Sequence, residues 1–322
     1  MFKKYVAVLM CVLSLVACSC VAAIAADTYP SKPIKMVVGY APGGGVDTTA
    51  RIFAKYAEEF LGQPIIITNI TGGGGSIGAR EVLKAKPDGY TLLWMHEAIL
   101  SGYITGVAKF SWEEFTPLGK AVATCDAIVV KADAPWKTID EFMVYLNKNP
   151  GKVKMPVEIG SMSQLELAAI DNAAGGKKIV AVSGGGGATR IPKLLGGFLD
   201  AASLNAPSIP QYVKDGSLRP LAVCTPERSP FFPGLPTLKE RGYDVNKPFN
   251  MYVFGPKELP KAVVIKINGA LKQMTADPRV KKDLAAILAS PSFMTPEEQV
   301  KYLANLTKYL QGVAKKAGIN QK

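Results

Sequence analysis

The sequence predicts an α/β protein built on parallel sheet and divided into two domains. Three observations predict it. Two glycine-rich loops, Tyr40-Ala41-Pro42-Gly43-Gly44-Gly45-Val46-Asp47 and Ile70-Thr71-Gly72-Gly73-Gly74-Gly75-Ser76-Ile77-Gly78, each follow a short apolar, β-branched run and precede a helical pattern. Strand, loop, helix, repeated, is the order that parallel crossovers require. A third glycine run, Gly184-Gly185-Gly186-Gly187, again stands between a strand pattern and a helical one. Residues 115–123 and 127–130 read as one nearly continuous strand, of the kind that leaves one domain and enters the next. With 322 residues the chain is long enough for both domains.

The elements follow in order. Residues 34–39 form the first strand and 47–61 the first helix, which Gly62 ends. Strand 65–68, helix 76–85 and strand 91–95 come next, the last ending at His96-Glu97. After the long strand, Thr138-Ile139-Asp140-Glu141 is a capping box that opens a helix to residue 148. Strand 153–159, helix 164–174 and strand 178–182 lead to the third glycine run and a helix through residue 195. A short strand at 201–204, a short helix at 210–213 and a returning strand at 218–224 complete the middle of the chain. Prolines 230, 233 and 236 mark irregular chain. A second capping box begins at Thr237, a strand covers 251–254, and three helical patterns start near Pro260, Pro278 and Pro296. Thr295-Pro296-Glu297-Glu298 combines a capping box with proline at the first helical position.

Composition narrows the function classes. The net charge of +12 includes Lys3 and Lys4, and the remaining lysines are scattered without an arginine-rich, aromatic-interleaved stripe. Nucleic acid is therefore not the expected partner. Residues 1–26 read as an export leader, with a positive start and an apolar stretch too short to span a membrane with a stop-transfer flank. Two processing routes fit it. Ala23-Ile24-Ala25 suits cleavage for soluble secretion, and Leu15-Val16-Ala17-Cys18 resembles a lipobox that would lipidate Cys18. Beyond the leader region only Cys125 and Cys224 remain, and His96 is the one histidine, so neither a metal nor a cofactor is expected. If the two crossing strands lie side by side, Cys125 and Cys224 are candidates for a disulfide at the hinge; two buried thiols are the alternative.

The glycine loops carry the candidate binding site. In the loop that Pro42 opens, the backbone N–H groups of Gly43-Gly44-Gly45 and the helix start behind them suit an anion. Asp47 repels a carboxylate and is expected to cap the helix, and the Thr48 hydroxyl is a further donor. Gly74, Gly75, Ser76 and Ile77 form the second loop. Gly73-x-Gly75-x-x-Gly78 with Glu97 also fits a dinucleotide fingerprint, but it follows the second strand and the leader directs the chain out of the cytoplasm. If His96 and Glu97 face a cleft, His96 donates to an anion and Glu97 holds an ammonium or hydroxyl. From the second domain, Ser161, Ser163 and Gln164 open one helix; Gly185, Gly186, Gly187 and Thr189 open another, and Asn205 follows a strand. Arg190 is either a partner for a second carboxylate or a solvated helix residue.

Several stretches together resemble one family. Tyr29-Pro30 with Lys32-Pro33-Ile34, Pro42-Gly43-Gly44 with Asp47 and Ala50-Arg51, Gly73 to Gly78, and Lys86-Pro87-Asp88-Gly89-Tyr90-Thr91 are similar to the start of the substrate-binding proteins of tripartite tricarboxylate transporters, the Bug receptors. So are Trp136-Lys137-Thr138, Asn149-Pro150-Gly151-Lys152, Gly216-Ser217-Leu218-Arg219-Pro220 and Leu235-Pro236-Thr237-Leu238 further along. The resemblance implies a periplasmic-binding-protein-like (type II) α/β fold, with two lobes joined by two crossing strands and a ligand cleft between them. It implies a first lobe of residues 27–124 and 225–322 and a second of 125–224. It implies a monomeric receptor, in the periplasm or on the outer face of the cytoplasmic membrane, that passes a small carboxylate to integral-membrane permease subunits. Three places depart from the family pattern: Ser183-Gly184-Gly185, Trp94-Met95-His96-Glu97, and Asn250 where a tryptophan is usual. Two other classes stay open, an exported hydrolase or isomerase using His96 and Glu97, and a ligand sensor for a membrane signalling partner.

Overall fold

The computed structural model describes residues 29–184 and 187–319. Its first sheet runs, edge to edge, in the order Ser290–Met294, Thr116–Lys131, Pro248–Gly255, Thr91–Met95, Ile34–Val38, Ile65–Asn69. Parallel strands β1 (Ile34–Val38), β2 (Ile65–Asn69) and β3 (Thr91–Met95) form one side. They join antiparallel β9 (Pro248–Gly255), the long β4 (Thr116–Lys131) and, at the edge, β10 (Ser290–Met294). Helices cover both faces. On one, α1 (Gly45–Leu61), α8 (Lys261–Ala276) and α9 (Pro278–Ala285) bury Phe53, Ile267 and Leu284 against Met36, Trp94 and Met251. On the other, α2 (Ser76–Leu83), α3 (Ala98–Ile104) and α10 (Pro296–Lys316) bury Val82, Leu100 and Leu306 against Leu93 and Tyr252.

The sixteen-residue β4 is the connection between halves. Residues 116–125 pair with β9, and residues 126–131 pair with β7 (Ala201–Asn205) and β8 (Leu218–Val223). Parallel β5 (Val153–Val157) and β6 (Ile179–Ser183) extend this second half. One face buries Phe142 of α4 (Ile139–Lys148) and Ile170 of α5 (Met162–Ala173). The opposite face buries Ile191 and Leu194 of α6 (Gly187–Leu195) and packs α7 (Pro210–Lys214) through Tyr212 and Val213. Thr138 caps α4 as its sequence indicates, its Oγ1 accepting from the N–H of Glu141 at 3.2 Å.

The return path is broken, as the irregular chain between strands 218–224 and 251–254 indicates. β8 ends at Val223, and the chain makes an excursion before re-entering the first sheet at Pro248. The prolines at 230, 233 and 236 explain the break, since each removes a ladder donor. Leu238 and Val245 of the excursion pack with Trp136 and Phe142 of the second half.

Cys125 and Cys224 are buried free thiols, the alternative to the candidate disulfide. The antiparallel register sets Ala127 against Val223, so Cys224 stands across from Asp126 rather than Cys125. That slip turns the two side chains to opposite faces. Cys125 packs with Ala127 and Val129, and Cys224 packs with Ile128 and Val130 on the other side. Burial pushes both thiols up from their ordinary value. Among the described residues, no helix is long and apolar enough to cross a membrane.

Candidate functional site

A cavity of about 650 Å³ opens between the halves. The first half contributes the loop at the carboxyl end of β1 and the start of α1, through Tyr40, Gly43, Gly44, Gly45 and Thr48, and contributes His96 from the end of β3. The second half contributes the turn after β5, through Glu158, Ser161 and Ser163, together with Arg190 of α6 and Asn205 at the end of β7. Asp126, Lys247 and Phe249 line it where the halves join. A cleft at the carboxyl ends of parallel strands is where open α/β sheets receive ligands.

The first glycine loop works differently from a row of free amides. Asp47 folds back, its Oδ2 accepting from Gly43 N–H at 2.9 Å and Arg51 Nε at 2.8 Å, and its Oδ1 accepting from Asn69 Nδ2 at 2.9 Å. These donors hold the Asp47 carboxyl below its ordinary value despite burial. Asp47 is thus a brace behind the loop and does not line the cavity. Gly44 is the N-cap of α1, so the helix opens on the orphan amides of Gly45 and Val46, both at the cavity. The Thr48 hydroxyl donates back to the Gly44 carbonyl at 3.0 Å. Pro42 is exposed at the loop tip.

The second glycine loop does not line the cavity. Its Gly74 carbonyl accepts from the Tyr40 hydroxyl at 2.7 Å, which fixes a ring that does. Gly75 sits at φ +94°, a backbone conformation that residues with a Cβ rarely adopt. Ser76 is buried at the start of α2 and Ile77 is half exposed. This loop supports Tyr40 from behind the cavity, whereas the sequence places Gly74, Gly75, Ser76 and Ile77 at the ligand.

His96 and Glu97 part company. His96 is buried between the rings of Tyr40 and Phe249, with centroids 5.0 and 4.8 Å away. Its Nδ1 accepts from Ala98 N–H at 3.2 Å, so the neutral ring carries its proton on Nε2. Burial, with Lys247 adding to it, pulls the imidazole down to about 3. Glu97 turns away from the cavity into the first half. There it accepts from Asn250 N–H at 3.1 Å, Asn250 Nδ2 at 2.8 Å and the Tyr252 hydroxyl at 2.9 Å. Burial pushes this carboxyl up to about 7. The two form no acid–base pair at the cleft, and Glu97 is not placed to hold a ligand ammonium.

On the second half, Ser161 caps α5. Its Oγ donates to the Glu158 carbonyl at 2.8 Å and accepts from Ser163 N–H at 3.1 Å. Both serines line the cavity, whereas Gln164 faces elsewhere, its Oε1 accepting from Gly160 N–H at 2.8 Å. Thr189 is exposed and donates to the Gly184 carbonyl at 2.7 Å. Gly187 begins α6, while Gly185, Gly186 and the leader with Cys18 lie outside the described residues. Arg190, an expected alternative to a solvated residue, is buried at the cavity, with Nη1 donating to the Ser203 carbonyl at 3.3 Å.

A buried charge cluster sits at the junction and escaped sequence reasoning. Lys247 Nζ contacts Asp126 Oδ2 and lies 3.0 Å from Glu166 Oε2. Glu166 Oε1 accepts from the Ser203 hydroxyl at 2.5 Å. Burial pushes the Glu166 carboxyl up, opposed by the Ser203 hydroxyl, Cys224 and Arg190, and pulls the Lys247 ammonium down, opposed by Glu97. One signal was available: Asp126 interrupts the otherwise apolar distal part of β4. Lys247 lies in irregular chain, where no periodicity marks it.

The buried neutral His96 makes a pH prediction. Its folded value lies below the ordinary 6.5, so its contribution to stability is complete above pH 6.5 and is lost as pH falls toward 3. Compared with His96→Gln, the natural chain should lose stability on acidification through that window, by up to several kcal/mol. Each tenfold difference in proton affinity between the folded and unfolded chain is worth about 1.4 kcal/mol. Urea unfolding of both proteins at stepped pH measures it. Parallel pH curves would show that His96 titrates normally.

Comparison with known proteins agrees with this architecture. Residues 49–319 match the family described as the tripartite tricarboxylate transporter family receptor. A UPF0065 protein of Cupriavidus necator is 30% identical, the match covering 91% of this chain and 90% of that one. The periplasmic binding protein BugD superposes with a TM-score of 0.79 at 29% identity, over 91% of this chain and 100% of its own. Rpa4515 of R. palustris, solved with adipate, gives a TM-score of 0.82 at 25% identity, over 90% and 98%. The fold is accordingly the type II periplasmic-binding-protein fold, with two α/β lobes and a cleft between them. The chain is a binding protein rather than an enzyme, and it belongs to the family of tripartite tricarboxylate transporter receptors.

Proposed function

We propose that the chain is an extracytoplasmic receptor that captures a small carboxylate by closing its two lobes and delivers it to the membrane subunits of a tripartite tricarboxylate-type transporter. The observation that carries this reading is the make-up of the cavity. The opening amides of α1 enter it from one side, Arg190 enters from the other, and the open volume lies between them. Anion binding at a helix start needs no further charge. Adipate in the R. palustris relative supports a carboxylate here. We take the lobes as residues 29–124 with 248–319, and 125–247, since the excursion after β8 packs with the second. Its ligand stabilises the closed form through contacts with both lobes, which is the differential affinity a switch requires. The leader is consistent with export, and BugD is a periplasmic protein.

The test is to purify the mature protein natively and to identify by mass spectrometry what leaves it on unfolding. Thermal shifts with a carboxylate panel follow. A saturable rise with one small acid is expected, equivalent to about 2.7 kcal/mol at a hundredfold excess over Kd. Recovery of a nucleotide or of a chemically processed product, with no acid stabilising, would overturn the reading.

A further inference from the structure

His96 follows β3 and Phe249 belongs to β9, yet their ring centroids stand 4.8 Å apart and both rings line the cavity. The β3–β9 ladder does not extend to them, since its final pair sets Met95 against Tyr252. The connection beyond it is made by the residue that follows each ring in the chain, Glu97 after His96 and Asn250 after Phe249. There the Glu97 carboxylate takes the place of a strand carbonyl. Its two oxygens accept from Asn250 N–H at 3.2 and 3.1 Å. Its Oε1 also accepts from Asn250 Nδ2 at 2.8 Å and from the Tyr252 hydroxyl at 2.9 Å. Glu97, Asn250 and Tyr252 are all buried, where water does not compete for these bonds, and none of the three lines the cavity.

Glu97 also fixes the imidazole from its other side. It is the N-cap of α3, its carbonyl accepting from Leu100 N–H at 2.9 Å. The next amide, Ala98 N–H, is the one that His96 Nδ1 accepts, which leaves Nε2–H for the cavity. We propose that Glu97 and Asn250 are positioning residues for the ligand: their buried bridge holds His96 against Phe249 and keeps Nε2–H directed into the cavity, without touching what binds there. This deepens the receptor reading above and rests on it. Cutting the bridge frees the end of β3 from β9, so the ring turns and its proton exchanges between the two nitrogens.

His96 is the chain's one histidine, so full mature protein made with isotope-labelled histidine, and without a histidine tag, reports this ring alone by nitrogen NMR. At neutral pH the natural chain should show one neutral imidazole with its proton on Nε2. Glu97→Leu keeps the bulk and removes the acceptors, and should show both tautomers. Glu97→Gln keeps one acceptor for Asn250 and should restore the single form. If Glu97→Leu does not fold, Asn250→Ala, which removes only the Nδ2 donor, makes the same comparison and should bring the second tautomer into view. Titration calorimetry then uses succinate, glutarate and adipate as probes. For the tightest binder, Glu97→Leu and His96→Gln should each weaken binding at least about tenfold, as expected for one hydrogen bond to a charged group. The double variant should lose no more than the worse single one, because both changes remove the same interaction. A purely structural role for Glu97 would lower the unfolding midpoint and leave the imidazole signals in place. An unchanged imidazole spectrum, losses that add in the double variant, or no loss at all overturns the inference and leaves the receptor reading standing. Binding of none of the three acids by the natural chain counts against the receptor reading, and the imidazole spectra still decide the positioning role.

Discussion

Lys247→Met should lower stability by about 3–5 kcal/mol, the usual consequence of removing one partner from a buried ion pair. Methionine keeps the volume and the unbranched stem, so the loss isolates charge from packing. Lys247 is 7% exposed at its side chain, and Asp126 and Glu166 on either side of its Nζ are 5% and 2% exposed. Without the ammonium, two carboxylates remain buried side by side, and one of them already sits above its ordinary value. Their cheapest response is to take up protons. The folded-state values then rise above the unfolded ones, so the variant regains stability as pH falls through the carboxylate range. Guanidinium unfolding at neutral pH and near pH 5 measures both effects. A loss under 1 kcal/mol, or a loss independent of pH, would mean that water reaches the cluster and screens it. The position magnifies the consequence. Asp126 begins the distal part of β4, Glu166 lies on α5, and Lys247 directly precedes β9, so one ammonium ties a second-lobe helix to both crossing segments.

What the sequence reveals and conceals follows from what each feature depends on. The strands and helices around the glycine loops are legible because their pattern is local: β-branched run, glycine, then helical spacing. Two elements are not. The α3 stretch Ala98–Ile104 is buried on nearly all sides, so it has no polar face to set a period. Strand β10 contains Pro291, which sequence reasoning reads as a break but an edge strand tolerates. Within the site, helix starts and strand ends are legible, and Gly43, Gly44, Gly45, Thr48, Ser161, Ser163 and Asn205 line one cavity. Which way a side chain turns at a strand end is not. His96 enters the cleft and Glu97, its neighbour, enters the core. Two departures from the family pattern turn out to explain each other. Glu97 and Asn250 lie far apart in the chain, yet the Asn250 side chain donates to the Glu97 carboxylate at 2.8 Å. Such pairings depend on sheet order, which no local pattern contains. The cysteines stay unpaired for a related reason: Cys224 follows β8 and stands across from Asp126, one residue beyond Cys125, and that shift puts the two thiols on opposite faces.

Gly45→Leu should abolish most ligand binding, about 10- to 100-fold in Kd, while leaving the fold as stable as before. Gly45 faces the second lobe at the cavity. A Cβ built there would lie 3.4 Å from Asn205 Oδ1 and 3.7 Å from the Pro207 ring, both on the second lobe. Alanine therefore makes ordinary contact, and Gly45→Ala should bind within about threefold of the natural chain. Leucine carries three further carbons into the same gap, and it can fit only if the lobes stay apart. Its backbone is not the obstacle, because Gly45 is the first residue of α1 and lies outside the left-handed region. Leucine is also the better helix former, so the unfolding midpoint should hold or rise slightly. The contrast is what makes the pair of variants informative. A residue that served only to shape the loop would lose stability along with affinity, and alanine would show half of the effect. A residue at a closing seam loses affinity alone, abruptly, between one carbon and four. Calorimetry with the ligand identified by native purification, run beside urea unfolding of both variants, separates the two. Undiminished affinity in Gly45→Leu would show that the ligand is held without the second lobe closing on this loop.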